Sequence, residues 1–139
     1  MPALERGAAK SGKTRSDLEV ALPGFVVTGA TDAEAAASAA AVRTQIAFYG
    51  STPAYRPVLE LHGWGELQAE LHARSKRGKW TEMGELVDDE VPAAFAVVAP
   101  PERVADAVLE RWGGLVDRFS FYGALPDAAT REVIAAFAR

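Results

Sequence analysis

Residues 93–123 read AAFAVVAPPERVADAVLERWGGLVDRFSFYG, and their punctuation sets the fold class. AAFAVVA (93–99) is short, apolar and followed by proline, which predicts a strand buried on both faces. Pro100 and Pro101 then open a helix, where first-turn N–H groups have no partner to lose. Val104, Val108 and Leu109 are expected on its inner face, and Gly113-Gly114 closes it. LVDRFSFYG (115–123) reads as the next strand. A strand, one helix and a second strand in so little chain imply parallel strands joined by a crossover, an α/β class.

The same alternation runs outward from this unit. PALERGAAK (2–10) reads as a helix that stops near Gly12, and TRSDLEVALPGFVVTG (14–29) as a turn leading into the strand Phe25-Val26-Val27. In TDAEAAASAAAVRTQIAFY (31–49), Thr31 and Glu34 form a capping box. Ala35, Ala39, Val42, Ile46 and Tyr49 recur at helical spacing there, and Gly50 ends the helix. Tyr55 to about Val91 is expected to be helical in pieces broken at Gly63, Gly65 and Gly78. Asp127 is expected to cap a last helix through Phe137.

At 139 residues the chain is expected to form one domain. Its net charge of −4 argues against nucleic acid or an anionic membrane as partner. With no cysteine there is no disulfide, thiolate metal site or cysteine nucleophile, and no apolar run suits a membrane span, so the cytoplasm is the expected location. Three parallel strands leave two unpaired edges, whereas a closed βα barrel takes about 250 residues. The sequence therefore reads as part of a larger assembly.

GAAKSGKT (7–14) matches the phosphate-loop pattern at Gly7, Gly12, Lys13 and Thr14. Such a loop needs a strand before it and a helix after it. Here helical sequence precedes it and a turn into a strand follows, so the string is read as a helix end stopped at Gly12.

QIAFYGSTPAYRPVLELHGW (45–64), together with GKWTEMGELVDDEV (78–91), FAVVAPPERVADAV (95–108) and GGLVDRFSFY (113–122), resembles the luciferase-like monooxygenase superfamily. The likeness is to its branch that uses the deazaflavin coenzyme F-420. PALERGAAKSGKTRSDLEV resembles the stretch before one of that family's later strands. The resemblance implies an α/β fold: the C-terminal portion of a (β/α)8 TIM-type barrel, about three parallel strands. Residues 1–139 would form one partial barrel domain, with a helical insertion over about 30–92. It also implies an oxidoreductase that moves a hydride between deazaflavin and a small organic substrate, or uses reduced flavin mononucleotide for oxygenation. Since the earlier strands supply most residues near the ring, the chain is expected to be a C-terminal half, from a truncated or split gene or a fragment. Alone it would be inactive until an N-terminal half or a second copy completes it. The competing expectation is a non-catalytic oligomeric α/β module. Where relatives carry Gly-Thr-Pro, this chain has Ala99-Pro100-Pro101, which removes a glycine and a hydroxyl from that turn.

By the resemblance, Gly50, Ser51, Thr52 and Arg56 are the candidate cofactor contacts, since hydroxyls, free N–H groups and a guanidinium suit a coenzyme phosphate tail. No catalytic residue is assigned, and His62 and His72 lack the spacing of a metal pair. Tyr55 reads either as lining the same cofactor pocket or as a packing residue, His62, Trp64 and Met83 as packing residues, and Trp80 either as core or as cover for the cofactor mouth. Glu85, Asp88 and Asp89 read as solvated acids, and RSKRGK (74–79) as a solvated helix end.

Overall fold

The computed structural model describes residues 1–138. Strands β1 (Ala21–Val27), β2 (Ala96–Val98) and β3 (Arg118–Phe121) form one parallel sheet in the order β2-β1-β3. The α/β class and the three parallel strands stand as the sequence predicts. Helix α1 (Pro2–Ala9) precedes the sheet, and α2 (Asp32–Gly50) with α3 (Arg56–Glu60), α4 (Gly65–Ser75), α5 (Trp80–Glu85) and α6 (Glu90–Phe95) makes the first crossover. Helix α7 (Val104–Trp112) joins β2 to β3, and α8 (Asp127–Phe137) follows. None of these helices is long and apolar enough to cross a membrane.

Consecutive strands of a barrel are neighbours and carry their helices on one side. Here β3 lies across β1 from β2, and the helices cover both faces. Val27 and Ala96 pack with Val42, Ile46, Leu71, Met83 and Val91 on one face. Val26 and Val97 pack with Val104, Val108 and Val133 on the other. Alternate strand residues point to opposite faces, so adjacent valines in VV (26–27) serve different cores.

Strand β1 is longer than Phe25–Val27 because it runs through Pro23 and Gly24. It pairs with β3 over Ala21–Gly24 and with β2 over Phe25–Val27. The carbonyls of Val20 and Gly24 accept from Arg118 and Tyr122, whereas the Val27 carbonyl accepts from Ala99 on the opposite edge. Odd-numbered residues therefore face β2, and Pro23 falls before β2 begins. A proline sits inside a central strand because no ladder bond is asked of it there.

Several local expectations shift. The strand expected over 93–99 is helical through Phe95. Asp88 Oδ1 accepts from the Glu90 and Val91 N–H groups at the start of α6. Arg111 donates to the carbonyls of Ala94 and, at 2.8 Å, Ala96 at its end. Leu109 is 62% exposed, and Ala105 turns inward in its place. Glu34 reaches the Ala30 N–H at 2.8 Å, one residue before the expected Thr31, while Thr31 Oγ1 accepts from the Glu34 N–H. Gly65 starts a helix instead of breaking one, and Asp127 is the first residue of α8, with Pro126 at the N-cap position and no side-chain cap bond. In α2, Val42 and Ile46 are buried as expected, but Ala35, Ala39 and Tyr49 are only half-buried.

The string GAAKSGKT forms the end of α1. Gly12 takes φ +70°, while the N–H groups of Gly12 and Lys13 donate to the carbonyls of Ala9 and Ala8. Donors that a phosphate loop would aim at an anion are committed to the helix itself.

Two substitutions test the sheet. A methyl on Gly24 would lie 2.4 Å from the Phe119 ring, which stacks on Trp112, whereas one on Gly29 would lie 2.3 Å from the Ala35 amide nitrogen. Gly24→Ala should cost about 1–3 kcal/mol in urea unfolding, and Gly29→Ala more, because backbone is what must move. Asp117 Oδ2 accepts from the Val20 N–H at 2.7 Å and from Arg15 at 2.8 Å, tying β3 to the start of β1. The Val20 N–H, and then Arg15, hold its pKa below the ordinary 3.8. A lowered carboxylate contributes stability above its unfolded pKa and loses it as pH falls through the folded one. Urea midpoints should therefore fall in acid below 3.8 for the parent chain, and fall less from their neutral value for Asp117→Asn.

Candidate functional site

Two clefts open on the α2 face of the sheet, one at each end of that helix. Helix α2 leaves the C-terminal end of β1 and runs back roughly 28 Å at its ordinary rise per residue. Its last turn therefore lies near the N-terminal end of β1. There Leu22, Pro23, Phe25, Tyr49, Gly50, Tyr55, Val58, Leu59, Phe95 and Trp112 are among the residues that line an apolar cleft of about 410 Å³. That volume lies in the range of small-molecule sites. Among the described residues, no charged side chain lines it.

The four candidate cofactor residues cluster at this end but play unequal parts. Gly50 lines the cleft, and a methyl there would meet Leu71 at 3.1 Å and Leu59 at 3.4 Å. Ser51 is buried, and its hydroxyl donates to the Phe48 carbonyl at 2.7 Å. The Ser51 carbonyl accepts from His72 Nδ1–H at 2.9 Å, which ties α4 to the turn and gives His72 a structural task. Thr52 and Arg56 are exposed on the flank. Arg56 Nε donates to Glu60 at 2.7 Å, and this carboxylate raises the guanidinium pKa further above its ordinary value. Its two Nη groups make no hydrogen bond among the described residues.

The remaining candidates separate. His62 stacks on Trp64 with ring centroids 4.7 Å apart and meets Phe95 edge-on at 5.3 Å. Met83 is core, whereas Trp80 is 49% exposed beside Phe48. Glu85 stays exposed, Asp88 caps α6, and Asp89 pairs with Arg43, so the three acids form no common site. In the basic stretch, Arg74 bridges Glu70 and Glu82, and Lys79 joins Glu82.

The aromatic wall escapes a linear reading. Phe25 meets Tyr122 edge-on at 5.0 Å, and Tyr49 meets both Tyr55 and Tyr122. The hydroxyls of Tyr49 and Tyr122 are hydrogen-bonded across 73 residues of chain. No local spacing announces such a pair. With Phe25 it forms the partition between the two clefts. Chemically, the apolar cleft offers flat surfaces, and the phenols of Tyr49 and Tyr55 are the only titratable groups among its described lining residues.

The bond to Tyr122 raises the Tyr49 pKa above the ordinary 10.0, because the bonded pair favours the neutral phenol. This contribution to stability is present below the unfolded pKa and is lost as pH rises through the folded one. Tyrosinate absorbance should show a delayed alkaline transition that Tyr122→Phe returns towards 10.0.

Comparison with known proteins places these features. The family model of the luciferase-like monooxygenases matches residues 1–118. Uncharacterized proteins of Mycobacterium bovis and of two Mycobacterium tuberculosis strains, CDC 1551 and H37Rv, are each 58% identical over 118 residues. The match covers 85% of this chain and 35% of each relative, so the chain spans about a third of their length. The family is of the TIM-barrel type. With its match extending from α1 to the start of β3, this chain belongs to the luciferase-like monooxygenase family.

Proposed function

We propose that the chain is the C-terminal portion of a coenzyme F-420-dependent oxidoreductase that acts on a small organic substrate. Flavin mononucleotide is the alternative cofactor, since luciferase-like proteins use either. The observation that carries the reading is the uncharged aromatic cleft at the end of α2, with the exposed Arg56 directly after its lining residue Tyr55. The residues fit such a group: Tyr49, Tyr55 and Phe95 offer flat apolar walls, and the Arg56 Nη groups suit a phosphate on a tail. When bound, the cofactor supplies hydride chemistry, while the protein supplies binding and orientation. Gly50 keeps α2 close to α4, and the Ser51 hydroxyl ends α2 by bonding back to Phe48. Thr52 and Arg56 would hold the tail, and the aromatic wall would keep water from the ring.

Among the described residues no carboxylate, histidine or lysine lines the cleft, whose only titratable groups are the phenols of Tyr49 and Tyr55, which supports a chain that works with further residues. An N-terminal half or a second copy would supply them, in the cytoplasm. The second reading, a non-catalytic oligomeric α/β module, is favoured by the free outer edges of β2 and β3.

Fluorescence titration of the purified chain with coenzyme F-420, flavin mononucleotide and ATP tests the proposal. Saturable micromolar binding of the deazaflavin is expected, weakened about tenfold by Arg56→Ala through loss of a charge-assisted bond. ATP should not bind, and Lys13→Ala should change nothing. Failure of both F-420 and flavin mononucleotide to bind would favour the non-catalytic module, and a stable oligomeric mass would add to it.

A further inference from the structure

We infer that the second cleft, at the other end of α2, is a separate binding site for a flat heteroaromatic molecule that presents N–H donors and carries no negative charge. The strand order supplies the first ground. From β1 the chain crosses to β2 on one side, then returns past β1 to lay β3 on the other. The direction reverses between β1 and β3. In open parallel sheets the crevice outside the carboxyl ends of the strands at such a reversal is where ligands bind.

A cavity of about 450 Å³ lies at this place. Phe25 and Val26 in the second half of β1, where β3 no longer pairs, line it from the strand. One wall is the N-terminal half of α2, and the other is the loop Tyr122–Pro126 that leaves β3. Helix α2 is tied to the end of β1 here, since Ser38 Oγ donates to the Val26 carbonyl and accepts from the Thr28 N–H, and the cavity opens beside that contact. Alanines on the lining face, Ala37 and Ala41, keep the space open.

The lining chemistry selects the ligand. Phe25 and Tyr122 present aromatic surface. Glu34, Ser38 and Gln45 supply the polar side chains on α2, and among the described residues neither lysine nor arginine lines the cavity. Glu34 Oε2 is held by the Ala30 N–H, which leaves its second carboxylate oxygen to accept. The Gln45 amide makes no hydrogen bond among the described residues and adds an acceptor and a donor. A carboxylate with no cation beside it repels phosphate and carboxylate ligands and favours N–H donors or a positive charge. This site therefore differs from the cleft at Gly50 in charge and in the end of the sheet it occupies, and it stands without the cofactor proposal.

Proflavine, a planar cation with two amino donors, and anthracene-9-carboxylate, an anion of the same outline, test the assignment by fluorescence polarisation at physiological salt. Proflavine should bind with micromolar affinity and the carboxylate at least about tenfold more weakly. Ala41→Trp places an indole in the cavity from an exposed helix position and should weaken proflavine roughly tenfold or more with the far-UV spectrum unchanged. Glu34→Gln, which keeps an oxygen for the Ala30 N–H, should weaken it roughly threefold. Arg56→Ala, at the other cleft, should leave it unaltered. Equal affinity for the two probes, or an affinity untouched by Ala41→Trp and Glu34→Gln, would overturn the inference.

Discussion

Strand β1 bears on every other part of the structure, since it alone pairs with both neighbours. Its first half is bonded to β3 and its second half to β2, and its residues divide between the cores on the two faces. Alternation of backbone groups lets Pro23 sit within it without an orphaned donor on β3. Gly29, directly after it, lets the first turn of α2 approach more closely than any side chain would allow. A strand of seven residues thus sets the strand order, the course of α2 and both helical layers.

Helix α2 converts that arrangement into two different surfaces. Its C-terminal half is pressed onto the sheet and onto α4, α5 and α6, while its alanine-rich N-terminal half touches the end of β1 through Ser38 and borders the cavity with Glu34, Ala37 and Ala41. The first closes the apolar cleft beside Gly50, and the second leaves the more polar cavity beside Glu34 and Gln45. Phe25, Tyr49 and Tyr122 divide them. A single helix can present two such surfaces because the sheet beneath it is paired on opposite edges at its two ends.

The sheet ends at β2 on one side and β3 on the other, and both outer edges carry backbone groups that another strand could pair. The relatives are about three times as long as the shared segment, and their family builds closed barrels. In a barrel β3 would neighbour β2; here it occupies the edge of β1 that the barrel gives to a preceding strand. The family match and the open arrangement describe one segment at two scales, sequence ancestry and local pairing.

Much of this was legible in the residues themselves. Proline and glycine punctuation marked the turn at Pro101 that leads into α7 and the helix stops at Gly12 and Gly113-Gly114, because these residues act through their own backbone, and Thr31 marked the start of α2 through its hydroxyl. The apolar runs marked three strands, and the absence of a strand before Gly7 unmasked the phosphate-loop string. The sequence also placed Gly50, Ser51, Thr52 and Arg56 together at one helix end. Only the tertiary structure decided that β3 pairs with β1, that Pro23 is tolerated in a central strand, and that Tyr49 bonds Tyr122. It also decided that Ser51 turns its hydroxyl inward and that residues 93–95 stay helical under Arg111. Each of these depends on groups far apart in the chain, whose meeting follows from how whole elements pack and not from any spacing along the sequence.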